Sequence, residues 1–491
     1  MVKTKLKGIS ENERKIIIVK QVPNANHHEA YEGKPTTVPN DYVRELFSRP
    51  RSSKYMAITY DQKHYESMKE QYDYFVKCAD ELKKYSDGKI NMYKTGNFSK
   101  TSLAFFYSIF CTMTEYDILT AKDRKKKSDA ELKVLQSKNV SDRVDDICPH
   151  EVRFIKDSGG GFRMSRKYKG KLFEYDFRSF YPFIMRKAEL KIPIKAGILE
   201  TLTQSDLDSM PFFRFGVYHC SVSAPDEEQL KKLVRLNRSN YYTSDELSYF
   251  KSKGLEIKMI DEPENFLHYP RDYYLTGSQV FGKYVDYLFE AKQQDVSGSK
   301  EILNHLWGSL VKFLTRYCRS DSVEYKKVSD EGWEKKKFWP VDPDDDDCEI
   351  FMCKMINWDS PFEYNLARIR PFLLAKCRIT MAKEIEPHVK YIHHSHTDSF
   401  LSSIPLPFND EGKLGDIKFE GMTMNGVVDK SKTTKKSELT KEIPEEEKKY
   451  FDLFQWEHES KRRSDKIYRK ARRMMLKCDK IFEKRRMMLK K

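Results

Sequence analysis

The chain has 491 residues, of which 39% are hydrophobic and 34% charged. That hydrophobic content supplies a packed core and excludes a wholly disordered chain, and at about 150 residues per domain the length suggests roughly three domains. Lys plus Arg number 90 against 75 Asp plus Glu, and the net charge of +15 points to an acidic partner, either nucleic acid or an anionic membrane.

The apolar block Ile16 to Val19 is flanked by Lys15 and Lys20 and is too short for a secretory segment. Leu103 to Cys111 is the longest near-continuous apolar run. It reads as a buried core helix, because a membrane-spanning helix needs ~20 apolar residues. The nine Cys are scattered and contain no CxxC pair. They read as reduced thiols, so the expectation is an intracellular protein that is not secreted.

Asp157-Ser-Gly-Gly-Gly161 follows. Glycines permit positive φ and close approach of another backbone. A turn joining two strands is the plainer reading, and contact with a phosphate chain is the functional one. Lys171 to Phe177 then has the aliphatic and aromatic content of a strand. Ser179 is a candidate helix N-cap, with Pro182 in the first turn. Asp176 therefore closes a buried strand at a strand-to-helix corner, where a carboxylate needs a cation, a metal or a donor.

Lys300 and Asn304 are four apart on one predicted helix face, with Gly308 one turn further on. A cation and an amide beside bare backbone suit a nucleotide. The acidic run Asp342 to Asp347 has no Gly or closing Glu at EF-hand spacing and reads as a flexible loop. An amphipathic stretch from Tyr364 to Ile385 predicts a helix. Tyr391 to Leu401 then predicts a β-hairpin whose tight turn carries His396, Thr397 and Asp398. Alternation along the strand sends His393 and His394 to opposite faces, which argues against a His-only zinc site.

Thr433 to Lys449 reads as a polar linker. Most of the basic excess lies in Lys430 to Lys491, where Arg-Arg-Met-Met-Leu-Lys occurs at 472–477 and again at 485–490. A basic helical tail of this kind fits a surface that tracks phosphates.

Taken in order, the three central features resemble the polymerase motifs of the family B DNA polymerases. Asp176-Phe-Arg-Ser-Phe-Tyr-Pro182 is similar to motif A, usually Asp-x-x-Ser-Leu-Tyr-Pro. Lys300-x-x-x-Asn304-x-x-Trp307-Gly308 resembles motif B, usually Lys-x-x-x-Asn-Ser-x-Tyr-Gly, and His396-Thr397-Asp398-Ser399 resembles motif C, usually Asp-Thr-Asp-Ser. The details resemble the protein-primed branch of phages, adenoviruses and linear plasmids. Asp157 to Gly160 is similar to that branch's Tyr-x-Gly-Gly element without its Tyr. About 115 residues separate motifs A and B, and Leu314 to Phe362 has the place of a second insertion. Gly415 to Glu420 is similar to a strand at the palm's edge, and Thr101 to Ala104 to the helix start that links exonuclease to palm.

The resemblance implies an α+β right-hand fold: an antiparallel-sheet palm, helical fingers and a basic thumb behind a short N-terminal region. It divides the chain into a degenerate exonuclease remnant (1–150), palm (151–200, motif A), an insertion suited to a terminal protein (201–285), fingers (286–313, motif B), a second insertion (314–362), palm (363–429, motif C) and thumb (430–491). The implied activity is DNA-directed DNA synthesis on a DNA template and primer from dNTPs, with a terminal priming protein as a further partner and no membrane. Two Mg²⁺ ions, about 4 Å apart, serve this type of reaction. Asp176, Asp398 and the Phe177 carbonyl would hold them, and Mn²⁺ is a possible substitute. Lys300, Asn304 and Lys292 would serve the nucleotide. Tyr181 would lie under the sugar and exclude a 2′-hydroxyl. Gly159 and Gly160 would admit the template, and Lys466 and Tyr468 match the Lys-x-Tyr element near a primer end, as do Lys448 and Tyr450.

The departures carry expectations too. His396 stands where motif C usually begins with Asp, and Trp307 replaces the motif B Tyr. His396 should shift metal preference toward Mn²⁺, because imidazole suits transition metals better than Mg²⁺. The paired Asp-x-Glu of an exonuclease is missing from the first 60 residues. Tyr74 and Asp80, in Tyr72 to Leu82, are six apart rather than four, so 3′→5′ exonuclease activity is not expected. The competing reading is a polymerase-like replication protein that binds DNA with weakened or no catalysis. A third, RNA-templated reading is opposed by motif B.

Overall fold

The computed structural model describes residues 12–20, 27–39, 55–223, 233–340 and 350–429. The chain divides into two compact units, the first comprising 1–161 and 179–380 and the second 162–178 and 381–491. The class is mixed α and β with largely antiparallel sheets. The predicted tail, including Lys448, Tyr450, Lys466 and Tyr468, lies outside the described residues, as does the acidic run Asp342 to Asp347.

The first unit opens with strands β1 (Lys15–Lys20), β2 (His27–Tyr31), β3 (Pro35–Pro39) and β4 (Tyr55–Thr59) in the order β3-β2-β1-β4. The β-branched run Ile16 to Val19 is buried throughout. It is the central strand, antiparallel to β2 and parallel to β4, and a continuous apolar run is what a strand covered on both faces requires. The block that the sequence offered only as a failed export signal is therefore core.

Helix α1 (Met68–Tyr85) carries Tyr74 and Asp80. The Tyr74 hydroxyl donates to Glu301 Oε1 at 2.9 Å, and Asp80 Oδ1 accepts from the Tyr93 hydroxyl at 2.7 Å. Helix α2 (Phe98–Phe110) buries Leu103, Phe105, Phe106, Tyr107 and Phe110, as its apolar run predicts. Helix α3 (Pro149–Lys156) leads into the glycine turn. That corrects the expectation of a strand-to-strand turn, because the turn joins a helix to a strand.

Beyond the corner helix α4 (Phe180–Met185), strands β8 (Ile198–Glu200), β9 (Gly216–Ser223), β10 (Tyr241–Thr243), β11 (Glu256–Met259) and β12 (Phe266–His268) form one antiparallel sheet. The short strands β7 (Lys191–Pro193) and β13 (Tyr274–Thr276) pair with each other. Helix α5 (Ser244–Ser252) follows β10.

Helices α6 (Gly277–Gln293) and α7 (Ser299–Leu310) come next. α6 starts at a Thr276/Gln279 capping box and buries Val280, Phe281, Tyr284, Val285, Leu288 and Ala291. This is the helical spacing of a core-facing stripe. Its first residue must be glycine, since a Cβ on Gly277 would lie 2.2 Å from the Met185 carbonyl oxygen.

Strands β14 (Arg316–Arg319), β15 (Trp333–Pro340) and β16 (Phe351–Asn357), with helix α8 (Val323–Asp330), make a three-stranded module. It has its own core of Cys318, Val328, Trp333, Cys353 and Met355. Helix α9 (Ile369–Ile385) lies in the stretch where the sequence predicts a helix, but it is buried on nearly all sides, with only Lys383 and Glu384 exposed, rather than amphipathic.

The second unit is built on one antiparallel sheet in the order β19-β6-β18-β17-β5, from β5 (Arg163–Ser165), β6 (Tyr168–Phe177), β17 (Ile392–His396), β18 (Ser399–Ser402) and β19 (Ile417–Val428). Leu172, Phe173, Glu174 and Tyr175 are buried along β6. Tyr175 stacks on Phe400 of β18 at 5.4 Å. β19 is the edge strand expected near Gly415 to Glu420, and among the described residues no helix is long and apolar enough to cross a membrane.

Candidate active site

In the second unit one predicted carboxylate lies on a strand and the other in the turn that leads into the neighbouring strand. Asp176 is the penultimate residue of β6 and pairs in register with Ser399 of β18. Asp398 lies one residue before Ser399, in the turn that joins β17 to β18. The Phe177 N–H donates to the Asp398 carbonyl at 2.9 Å, which fixes the turn to the end of β6. Both carboxylate residues are half-buried, and His396 is exposed.

The turn is tightly specified. Thr397 has φ +59, the left-handed region that non-glycine residues seldom occupy. Its N–H donates to the Phe162 carbonyl at 2.8 Å, and its hydroxyl lies 2.7 Å from Asp398 Oδ1. A strained backbone held by such contacts is characteristic of functional turns.

His393 is buried and stacks on Tyr168 at 3.8 Å, with Arg166 donating to its Nδ1 at 2.9 Å. His394 and His396 present nearly parallel rings 6.5 Å apart. Burial, and then the His396 charge, push the His394 imidazole below its ordinary pKa. The three histidines do not converge, and no group of three or more His, Cys, Asp or Glu that could hold a metal occurs among the described residues.

Just beyond β6, Arg178 forms a bidentate pair with Asp410 at 2.5 and 2.6 Å. Its N–H also donates to the Asp416 carbonyl at 2.8 Å. Hydrogen bonding to Arg178 holds the Asp410 carboxyl below its usual range. Local sequence gives no sign of this clamp, because the partners are 232 residues apart.

The remaining candidates lie in the first unit. Ser179 occupies the N-cap position of α4 with φ +51, and its side chain makes no cap hydrogen bond. The Ser179 hydroxyl instead accepts from Lys292 Nζ at 2.9 Å. Ser179 thus corrects the N-cap expectation: its backbone turns the corner and its side chain holds a lysine. Tyr181 of α4 stacks on Trp307 of α7 at 4.5 Å and 12°. Lys300 is exposed and Asn304 half-buried on α7. Asn304, Trp307 and Gly308 line a pocket of about 500 Å³ with Lys100, Lys312 and Tyr364.

The glycine turn is also in this unit. Gly159 has φ +73, a conformation that favours glycine. Arg378 donates to the Gly160 carbonyl at 2.5 Å and pairs with the buried Glu246 at 2.6 Å. Asn237 Nδ2 donates to the Asp157 carbonyl at 2.6 Å. Sequence reading missed these supports. The Thr243-x-x-Glu246 capping box was visible, but it does not reveal that Glu246 also anchors a distant arginine.

No protein-family model and no curated protein matches the chain. Among solved structures it is similar to phi29 DNA polymerase complexed with single-stranded DNA, at 14% identity and a TM-score of 0.44, over 71% of this chain and 55% of that one. It is also similar to phi29 DNA polymerase complexed with primer-template DNA and incoming nucleotide substrates, at 16% identity and a TM-score of 0.42, over 70% of this chain and 56% of that one. The chain thus spans little more than half the length of these two structures.

Proposed function

We propose that the chain is a DNA-directed DNA polymerase that adds deoxynucleotides to a 3′-hydroxyl by phosphoryl transfer. One observation carries the reading: Asp176, near the end of β6, lies beside the strained β17–β18 turn that holds Asp398, with the Phe177 N–H bonded to the Asp398 carbonyl.

The donor set suits Mg²⁺. This ion is bound by one or two carboxylates and completed by substrate phosphates and water, rather than by an all-protein cage. Two half-buried carboxylates, with no group of three possible metal ligands among the described residues, match that pattern. Asp176 and Asp398, with the Phe177 carbonyl, would hold two ions. Such ions neutralise triphosphate charge and acidify the attacking hydroxyl.

The protein's own groups do the rest. Lys300, exposed on α7, would balance the triphosphate, with Asn304 on the same face. Lys292 would hold the α4 corner through Ser179 and add a second positive charge. The Tyr181–Trp307 stack gives a rigid aromatic surface for a sugar and base. Tyr181 would exclude a 2′-hydroxyl. Gly159 and Gly160 would accept the template backbone on a turn held by Arg378.

The antiparallel sheet from β8 to β12, which lies between motifs A and B in the chain, has the place of an insertion suited to a terminal protein and supports a protein-primed start, in which that protein supplies the first hydroxyl. An exposed His396 at the end of β17, beside the turn that holds Asp398, favours the second reading, a DNA-binding replication protein with weakened chemistry. Primer extension separates the two. Extension by the native chain, lost in Asp176→Ala and Asp398→Ala, supports the enzyme. Binding of primer-template without extension supports the second reading.

A further inference from the structure

We propose that Cys318 and Cys353, which face each other across β14 and β16, form a reversible dithiol–disulfide latch that hydrogen peroxide closes. The proposal concerns the three-stranded module alone and does not rest on the polymerase reading.

Cys318 on β14 and Cys353 on β16 are partners in the antiparallel register, and both are free thiols, 3% and 1% exposed. Residues directly opposite in an antiparallel pair project from the same face. The two thiols accordingly share one core with Val328, Trp333 and Met355. The Ser320 N–H donates to the Phe351 carbonyl at 2.8 Å, two residues beyond the pair. Alternation along the ladder then makes Cys318 and Cys353 a hydrogen-bonded pair, whose Cα atoms lie about 5.5 Å apart. Disulfides span Cα separations of about 4.4–6.8 Å, so the bond needs no change of register. Facing Cβ atoms about 4.5–5.5 Å apart must draw in to about 3.8 Å to make it. A disulfide closed against such a spacing is of the labile kind that thiol reductants reopen.

The chemistry balances with the peroxide as oxidant. One thiolate attacks a peroxide oxygen and breaks the O–O bond, which leaves a sulfenic acid and releases water. The second thiol attacks the sulfenic sulfur, the S–S bond forms, and a second water leaves. Two thiols thus give up two electrons, and the peroxide is reduced to two waters. Burial, then the charge of Glu324, push the Cys318 thiol up, with Arg316 opposing. The protonated thiol is unreactive, which keeps the pair reduced until oxidant persists. The closed bond encloses all of α8 and β15 in one loop. A cross-link between strands so far apart in the chain hinders their local opening. Buried cysteines without a redox role act only as small apolar side chains, and that arrangement forms no preferred link.

Peptide mass mapping of the full chain tests this. The folded protein is treated with hydrogen peroxide, unfolded and alkylated with iodoacetamide. Cys318 and Cys353 should escape alkylation together, in linked peptides lighter by two hydrogens, and dithiothreitol should restore both. Cys348→Ser should keep the link, and Cys318→Ala should lose it. Hydrogen exchange of the β14 and β16 amides should slow about tenfold or more in the oxidised chain. Full alkylation of Cys318 and Cys353 after peroxide, or a link from either to Cys348 instead, would overturn the proposal. So would unchanged exchange in a chain that carries the link.

Discussion

His396 is the residue whose chemistry departs most from its surroundings. The sequence places it in the turn, but it ends β17 and pairs with Ser399, which leaves an exposed imidazole beside the two-residue turn that holds Asp398. His396→Asp should raise extension with Mg²⁺ relative to Mn²⁺, because an oxygen ligand suits Mg²⁺ and an imidazole suits transition ions. Parallel extension assays with each metal check this, and an unchanged ratio contradicts it. Tyr181 makes a second prediction: Tyr181→Ala should increase ribonucleotide incorporation relative to deoxynucleotide, as read by single-nucleotide extension. Equal discrimination in the variant would remove Tyr181 from sugar selection. The residues of both predictions were legible in the sequence because their motifs are local. Their supports were not. Lys292 reaches Ser179 across 113 residues, and Trp307 reaches Tyr181 only after α4 and α7 pack.

Among elements, the β17–β18 hairpin and the end of β6 had clear sequence signatures: alternation, a tight turn and a strand-to-helix corner, although the turn is only Thr397 and Asp398. The clamp that follows β6 did not. Arg178 and Asp410 form a partly exposed bidentate pair, with side chains 29% and 24% accessible. Because the folded-state pKa of Asp410 is depressed, the pair stabilises the second unit above the ordinary aspartate value of about 3.9. That stability is lost as pH falls through the lower folded value. Asp410→Asn should therefore cost about 0.5–1 kcal/mol at pH 7, discounted for exposure, and the gap from the native chain should close below pH ~4. Urea denaturation at neutral and acid pH measures this. A gap independent of pH would show that the carboxylate charge is not what stabilises the corner.

At the scale of the whole molecule, the +15 charge is unevenly distributed, with most of the excess in Lys430 to Lys491. If that segment grips duplex DNA, deleting it should flatten the salt dependence of primer-template binding, because each lost phosphate contact removes about 0.9 from the slope. An unchanged slope would assign the grip elsewhere. Length alone suggested three ordinary domains. The structure instead divides into two units, and the second draws two strands, β5 and β6, from residues 162–178 and the rest from beyond residue 380. Composition cannot reveal this, since strand pairing at such separation depends on tertiary packing. The most direct test of the account is single-turnover incorporation of one dNTP on a primer-template by the native chain and by Asp398→Ala. The account predicts incorporation by the native chain that falls roughly 10²–10³-fold or more in the variant, with thermal unfolding unchanged. Comparable incorporation by both would contradict it.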